Sequence, residues 1–441
     1  MTTNEERYKE LLAATYISFN QTNKSSKSMD LCALVTKSIL KVESRKRNRK
    51  AIDEVAFRVG VERILSSLML AAAAVESRWA YRSMCNNSFS GEVVKGDTFK
   101  KIISLLETIG YIEKNEGSNH SNPFHIDHPE SNKFHPGLAT RLRATNKLLS
   151  LAESIGITKD TTVYHYKQCL PTNVIKKKAK SMNRHGKKIS GRQMVVKRDK
   201  TVMILETEIL SINEYLSNQD FEGGIFNGYI RTFNMGDEPY FDWNKGGRIS
   251  CPGKDSYQKM QKKVRLKTIK VNNESVAEVD INASYLSIFY GLSGHSLPKK
   301  DDLYAVPGLH REIVKAWITT AFGKGTFPSR WPSKAKAELI KKGISLNKLT
   351  MREVGQLVCE AIPVLQHLPT SNITWADLMF KESEAIISAM VSLRENFNIP
   401  AYSMHDGLIV PLSGKDIAAN EIMKAFDDLG LECRVKIETQ V

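Results

Sequence analysis

Ala401–Val410, AYSMHDGLIV, constrains the chain most, because it reads as a β-hairpin with a carboxylate at its tip. Apolar and β-branched residues flank His405, Asp406 and Gly407, and Gly407 would supply the permissive backbone of the turn. An Asp held by rigid strands yet open to solvent sits where a metal-binding or catalytic carboxylate is needed. The plain alternative is a turn Asp, since Asp-Gly is a favoured hairpin pair. Taken alone, the hairpin supports the plain reading, and the rest of the chain must decide.

A second carboxylate of the same kind lies upstream, in SVAEVDINASYLSIFYGLSG. VAEVD alternates as a strand ending in Asp280, and ASYLSIFYGL then starts a helix. Two carboxylates from different strands suit Mg²⁺, which takes hard oxygen ligands and leaves positions open for phosphate oxygens. A pair of such ions stabilises both the attacking and the leaving oxygen of a displacement at phosphorus, which is nucleotidyl transfer or phosphodiester hydrolysis. GLHREIVKAWITTAFGKG separates those two chemistries. As a helix it brings Arg311, Lys315, Thr319 and Phe322 into a narrow angular range, at steps of four, four and three residues. The cations suit the phosphates of a nucleoside triphosphate, and the ring suits its base. An amphipathic surface helix with Arg and Lys in solvent is the plain alternative.

At 441 residues the chain has room for two or three domains, and 41% apolar content is that of a soluble globular protein, neither fibre nor disordered chain. Its longest apolar run, Ile64–Val75, is bounded by charges and suits a buried helix rather than a membrane span. The N-terminal MTTNEERYKE has no apolar signal core, so a cytoplasmic location is expected. Six scattered cysteines lack the paired spacing of zinc sites and are expected to be reduced. A formal net charge of +16 calls for a polyanionic partner. Nucleic acid leads over a membrane surface, because no basic amphipathic helix with an aromatic face is present.

Residues 1–170 read as a mainly helical domain. In DTFKKIISLLETIG, Phe99, Ile102, Ile103, Leu106 and Ile109 form one stripe, with Asp97 or Thr98 as the cap and Gly110 as the stop. The strand-like YIEK, a polar loop and LATRLRAT follow, an order that resembles a winged-helix DNA-binding unit. A helical domain carrying one hairpin is the alternative. His120, His125, His128 and His135 in that loop match no ligand spacing, and no metal is placed there. Residues 171–200 read as a basic linker whose Lys176, Lys177 and Lys178 would hold phosphates without sequence preference. Residues 201–441 mix strands and helices as an α+β domain does.

The segments together resemble a template-directed polymerase palm. VDINASYLSI is similar to motif A, REIVKAWITTAFG to the fingers-helix motif B and MHDGLIV to motif C, in the order that fold requires. GGRISCPG, Gly246–Gly253, is similar to the segment that opens the palm of family A DNA polymerases. The resemblance is to family A DNA polymerases and single-subunit RNA polymerases, and covers residues 240–441, about half of the chain. It implies a right-hand palm and fingers, an antiparallel sheet with flanking helices, whose partners are a DNA primer-template and deoxynucleoside triphosphates and not a membrane. It implies that Asp280 and Asp406, with the backbone carbonyl of Ile281, hold two Mg²⁺ ions, for which Mn²⁺ can stand in. Arg311 and Lys315 would hold the triphosphate, Phe322 would stack near the templating pair, and Gly323 would let the template approach. Arg248, with Gly247 beside it, would touch the primer-template from the minor groove. His405 would lie near the primer terminus, or else pack behind the hairpin. Tyr285 stands five residues after Asp280, where family A carries Glu and family B carries Tyr. Its ring would fill the space of a ribose 2′-hydroxyl and so favour deoxynucleotides.

The chain also departs from that pattern. The step from Lys315 to Phe322 agrees better with family B spacing. Gly407 stands where family A DNA polymerases commonly carry a second acid, and looks more like the RNA polymerase variants. No carboxylate set for proofreading and no large thumb is evident. The resulting expectation is a DNA-templated DNA polymerase without proofreading, of a phage, plasmid or other mobile element. The alternatives are a primase or RNA polymerase using ribonucleotides on the same palm, a non-catalytic DNA-binding replication protein, and a two-metal nuclease. A nuclease has no need of the Arg311, Lys315 and Phe322 face.

Overall fold

The computed structural model describes residues 4–45, 47–117, 138–184, 187–253, 256–346 and 349–440. The histidine-bearing loop lies outside them. The chain is a mixed α+β protein that divides into two compact units. One comprises Met1–Asn173 with Gln193–Lys197, the other Val174–Arg192 with Arg198–Val441.

In the first unit, α1 (Ser26–Val42) and α2 (Ala51–Ala74) precede β1 (Trp79–Tyr81), α3 (Gly96–Thr108), β2 (Ile112–Asn115) and β3 (Arg141–Ala144). A capping box at Ser25 and Ser28 starts α1 by satisfying amides that the first turn leaves free. Phe99, Ile102, Ile103 and Leu106 of α3 are buried with Phe57, Val61, Ile64 and Leu65 of α2, so the expected stripe is a core face. β3 lies between β1 and β2, antiparallel to both, and Thr15–Tyr16 runs parallel to β1.

The second unit begins with β4 (Ile175–Lys178), α4 (Lys200–Ser217), β5 (Ile230–Phe233), β6 (Gly246–Ser250) and α5 (Lys262–Thr268). There follow β7 (Glu274–Ile281), α6 (Ser284–Leu292), α7 (Arg311–Lys324), α8 (Met351–Ala361) and α9 (Trp375–Phe397). It closes with β8 (Tyr402–Ser403), β9 (Gly407–Pro411), α10 (Lys415–Asp427) and β10 (Val435–Thr439). β5 pairs parallel with β4 and antiparallel with β6. The second sheet is built on β7, flanked by β9 and β10, both antiparallel to it, with β8 beyond β9. α9 runs across β6 and packs on α6 and α10. Trp317 locks α7 to α8: its indole N–H donates to the Met351 carbonyl at 2.9 Å, and a Cβ on Gly355 would lie 2.8 Å from its ring.

The basic stretch at 171–200 is not a free linker. Val174 and Ile175 are fully buried, and Lys176, Lys177 and Lys178 sit half-buried on β4. The Lys177 ammonium lies 5.7 Å from the Phe241 ring and 5.5 Å from the Trp243 ring, so its stem packs while its charge faces aromatic surface. Among the described residues, no helix is long and apolar enough to cross a membrane.

Candidate functional site

The pairing of β7 with β9 sets Asp280 opposite Gly407, and the Ile281 amide donates to the Asp406 carbonyl at 3.0 Å. Two acidic residues distant in sequence thus come to one end of the sheet, each carried by backbone hydrogen bonds rather than by a loose loop. Met404 and Gly407 exchange hydrogen bonds of 2.8 and 3.2 Å, which leaves His405 and Asp406 as the two central residues of the turn.

Gly407 has a different cause from the one the sequence implied. The left-handed backbone of the turn is at His405, with φ 60°. A Cβ on Gly407 would lie 2.4 Å from Asp280 Oδ1 and 2.6 Å from the Val279 carbonyl oxygen. Glycine stands there because Asp280 occupies the space a side chain would need. Ala283, at the start of α6, is also left-handed, with φ 49°. Residues with a Cβ adopt this backbone at a cost, and such outliers gather at functional sites.

On one side of the pair lies a lysine that sequence reasoning missed. Lys262, at the start of α5, donates to Asp280 Oδ2 at 2.6 Å and reaches Glu278 at 3.1 Å and Glu438 at 3.0 Å. Glu278, on the same face of β7 as Asp280, is also held by Arg265 at 2.9 and 3.2 Å. Burial pushes the Asp280 carboxyl up to about 6, against the Lys262 hydrogen bond and with help from the charges of Glu278 and Asp406. The half-buried Asp406 carboxylate has no hydrogen-bond or ion-pair partner among the described residues.

On the other side lies a buried ion pair. Glu382 of α9 is 1% exposed. It accepts a close hydrogen bond from Arg248 Nη2, and a second from Ser284 Oγ at 2.7 Å. The same Arg248 nitrogen donates to the Tyr285 hydroxyl at 3.2 Å. Burial pushes the Glu382 carboxyl up to about 7, against Arg248, with the Asp406 charge adding to the shift. The Tyr285 phenol is raised too, by burial first and then by Glu382. Glu382 had one sequence signal, a charge at helical spacing from Leu378 and Ile386, both buried. Lys262 had none, standing among many basic residues.

The remaining expected residues divide. Arg311, Lys315, Thr319 and Gly323 are exposed on α7, and a Cβ on Gly323 would meet nothing within 4 Å. Arg311 is held by Asp302 at 2.7 Å, with its guanidinium 5.2 Å from the Tyr304 ring. Burial pushes the Tyr304 phenol up to about 12, against Arg311 and with the charges of Asp406, Asp302 and Glu382 adding. The head of α7 therefore lies beside Tyr304. Phe322 does not share the exposed face. It is 3% exposed and packs 5.3 Å from the Phe289 ring, because the last turn of α7 leans on α6; its stacking role is withdrawn. Gly247 is buried too, in a β-bulge with φ 73°, and its carbonyl accepts from Arg231 at 3.0 Å and Ser383 at 2.5 Å. It shapes the strand that aims Arg248 rather than touching a ligand. His405 is exposed at the hairpin tip, not packed behind it.

The donor set fits a hard divalent cation. Carboxylate oxygens are the ligands such an ion takes, and the Lys262 ammonium already stands as a cation on Asp280. Among the described residues, no group of three or more His, Cys, Asp or Glu side chains is disposed to hold a metal ion.

No protein-family model matches the chain, and no curated protein matches it. Among solved structures, the POL domain of Pol1 from M. smegmatis, in complex with DNA primer-template and dNTP, aligns with 97% of this chain and 67% of that chain. Its TM-score is 0.26 at 9% identity, a likeness too low to carry an argument.

Proposed function

We propose that the chain is a template-directed nucleotidyltransferase, a DNA polymerase that extends a primer with deoxynucleotides. The observation that carries the reading is the register of β7 with β9, which brings Asp280 and Asp406 together under the Ile281 amide. Asp280, Asp406 and the Ile281 carbonyl would hold two Mg²⁺ ions, or Mn²⁺ in their place; bound there, such ions supply positive charge to the attacking and leaving oxygens of a displacement at phosphorus.

The chain's own residues do the rest. The primer 3′-oxygen, having lost its proton to solvent, forms a bond to the α-phosphorus while the bond to the bridging oxygen breaks. The electron pair leaves with pyrophosphate. Arg311 and Lys315 on the exposed face of α7 hold the triphosphate and meet the charge that develops on the leaving group. The open surface at Gly323 leaves room for the template. Tyr285, its hydroxyl held by Arg248, forms the wall that a ribose 2′-hydroxyl would strike. Arg248 reaches the primer-template only from within its pair with Glu382 and Tyr285.

Extension of a labelled primer on a DNA template with Mg²⁺ tests this, run with dNTPs alone and with NTPs alone, beside Asp406→Asn. Extension with dNTPs that the variant loses supports the proposal. Synthesis with NTPs only moves the chain to a primase or RNA polymerase, and DNA binding without synthesis moves it to a non-catalytic replication protein.

A further inference from the structure

The connection between α1 and α2 in the first unit carries a charge that the site does not use. Lys41–Lys50, KVESRKRNRK, holds six basic residues and one acidic residue, Glu43. Such a run is usually a solvated loop, so the structure around it decides.

The single acid is consumed inside the loop. Arg49 donates to both Glu43 oxygens at 2.7 Å, lies 3.4 Å from Glu54, and sets its guanidinium 3.7 Å from the Phe57 ring. The Arg49 and Glu43 side chains are only 7% and 2% exposed. Glu54 is further engaged by Arg58 at 2.8 Å. The loop is therefore pinned to the buried Phe57 of α2, and its negative charge is turned inward.

What it turns outward is positive. Lys41, Arg45, Arg47 and Lys50 are exposed, and the Arg45 guanidinium donates to the Arg47 carbonyl at 3.1 Å, which ties the tip together. Among the described residues, Lys41, Arg47 and Lys50 make no ion pair. Lys50 is also the N-cap of α2 and makes no side-chain cap hydrogen bond; the first turn behind it carries the exposed Asp53 and the half-buried Glu54, so the net positive charge of this end comes from the loop's own cations. A loop kept only for solubility needs no such anchor and would not spend its acid on itself.

We propose that this loop is a DNA-contact surface of the first unit, gripping backbone phosphates through Arg45, Arg47 and Lys50 with Lys41 beside them. It rests on the polymerase reading only for the identity of the polyanion as DNA. Phosphate contacts of this kind position a strand without reading its bases.

The test is fluorescence-anisotropy titration of a labelled DNA duplex with the full chain over a series of salt concentrations, comparing it with the triple variant Arg45→Gln, Arg47→Gln, Lys50→Gln. Arg49 is left in place so that the anchor survives, and a circular-dichroism melt checks that the variant folds as the parent does. Each lost phosphate contact flattens the slope of log K against log salt by about 0.9, so the variant is expected to lose about 3 from the slope and at least about tenfold in affinity at low salt. An unchanged slope in a folded variant overturns the proposal. So does a loss confined to anionic phospholipid vesicles with DNA binding intact. Wild-type primer extension is read separately: a chain that binds DNA through this loop but extends no primer keeps the surface and loses the polymerase reading.

Discussion

The two sides of Asp406 handle buried charge in opposite ways. Towards α5, Asp280, Glu278 and Glu438 share Lys262, a flexible cation whose side chain is 35% exposed. Towards α9, Glu382 is held by Arg248 and Ser284 in a pair closed to solvent on the acid's side. A lysine at the surface can leave its carboxylates when a stronger cation arrives, whereas a planar guanidinium bonded to both Glu382 and Tyr285 cannot move without stranding a buried charge. On the proposed function, one side of the site would exchange its cation and the other would hold a wall still.

The largest effect is expected where the sides meet. Asp280→Asn or Asp406→Asn should lower nucleotidyl transfer by about a thousandfold or more while DNA binding stays near wild type. Primer extension beside anisotropy checks both, and a variant that keeps its rate breaks the site assignment.

Removing the fixed acid comes next. Glu382→Ala takes the carboxylate from Arg248, which keeps only Tyr285 and is 28% exposed, and should destabilise the protein by up to about 3 kcal/mol in denaturant unfolding. The milder Glu382→Gln isolates the charge. Because the carboxyl rises from 4.5 to about 7 on folding, the folded chain holds a proton through that window that the unfolded chain has released. Its contribution to stability is therefore lost as pH rises through the window. Unfolding at pH values across it should show a shallower decline in Glu382→Gln than in the wild type.

A smaller change should follow Tyr285→Ala. If Arg248 and Glu382 hold Tyr285 as a wall, ribonucleotide use relative to deoxynucleotide use should rise by about 10- to 200-fold, the range a filled pocket commands. Single-nucleotide incorporation kinetics with each sugar reads this, and equal discrimination in the variant would remove the gate.

The exchangeable side should give the least. Lys262→Ala is expected to cost no more than about 1 kcal/mol in the presence of a chelator, given the exposure and screening of the pair. That deficit should shrink when Mg²⁺ is added, and Mn²⁺ should bind the variant more tightly by electron paramagnetic resonance. A deficit that Mg²⁺ leaves untouched would make Lys262 a fixed strut like Arg248.

How much of this was legible in the sequence follows from the range of each interaction. The strand before Asp280, the helix at Arg311 and the hairpin at Asp406 announce themselves by local alternation, helical spacing and turn chemistry, and the structure contains β7, α7 and the β8–β9 hairpin. That Asp280 faces Gly407 is a matter of register across a long connection, which periodicity does not fix. Phe322 was misread because angular position on a helix does not say which turn meets a neighbour, and Phe289 comes from α6. The stretch at Val174 was misread because its lysines hide a strand, their stems packing where their charges suggest solvent. Lys262 and Glu382 act through partners on β7, β10, β6 and α6, so nothing local marked the first and only a misplaced charge marked the second.

The Ile281 amide gives the site an internal reporter. Its proton is bonded to the Asp406 carbonyl, within a strand flanked on both edges. Its rate of exchange with deuterated solvent therefore measures how often the two carboxylates part. Exchange as slow as that of the β7 core would mean that the site opens only when the whole unit unfolds, while faster exchange at this one amide would measure the free energy of a local hairpin opening.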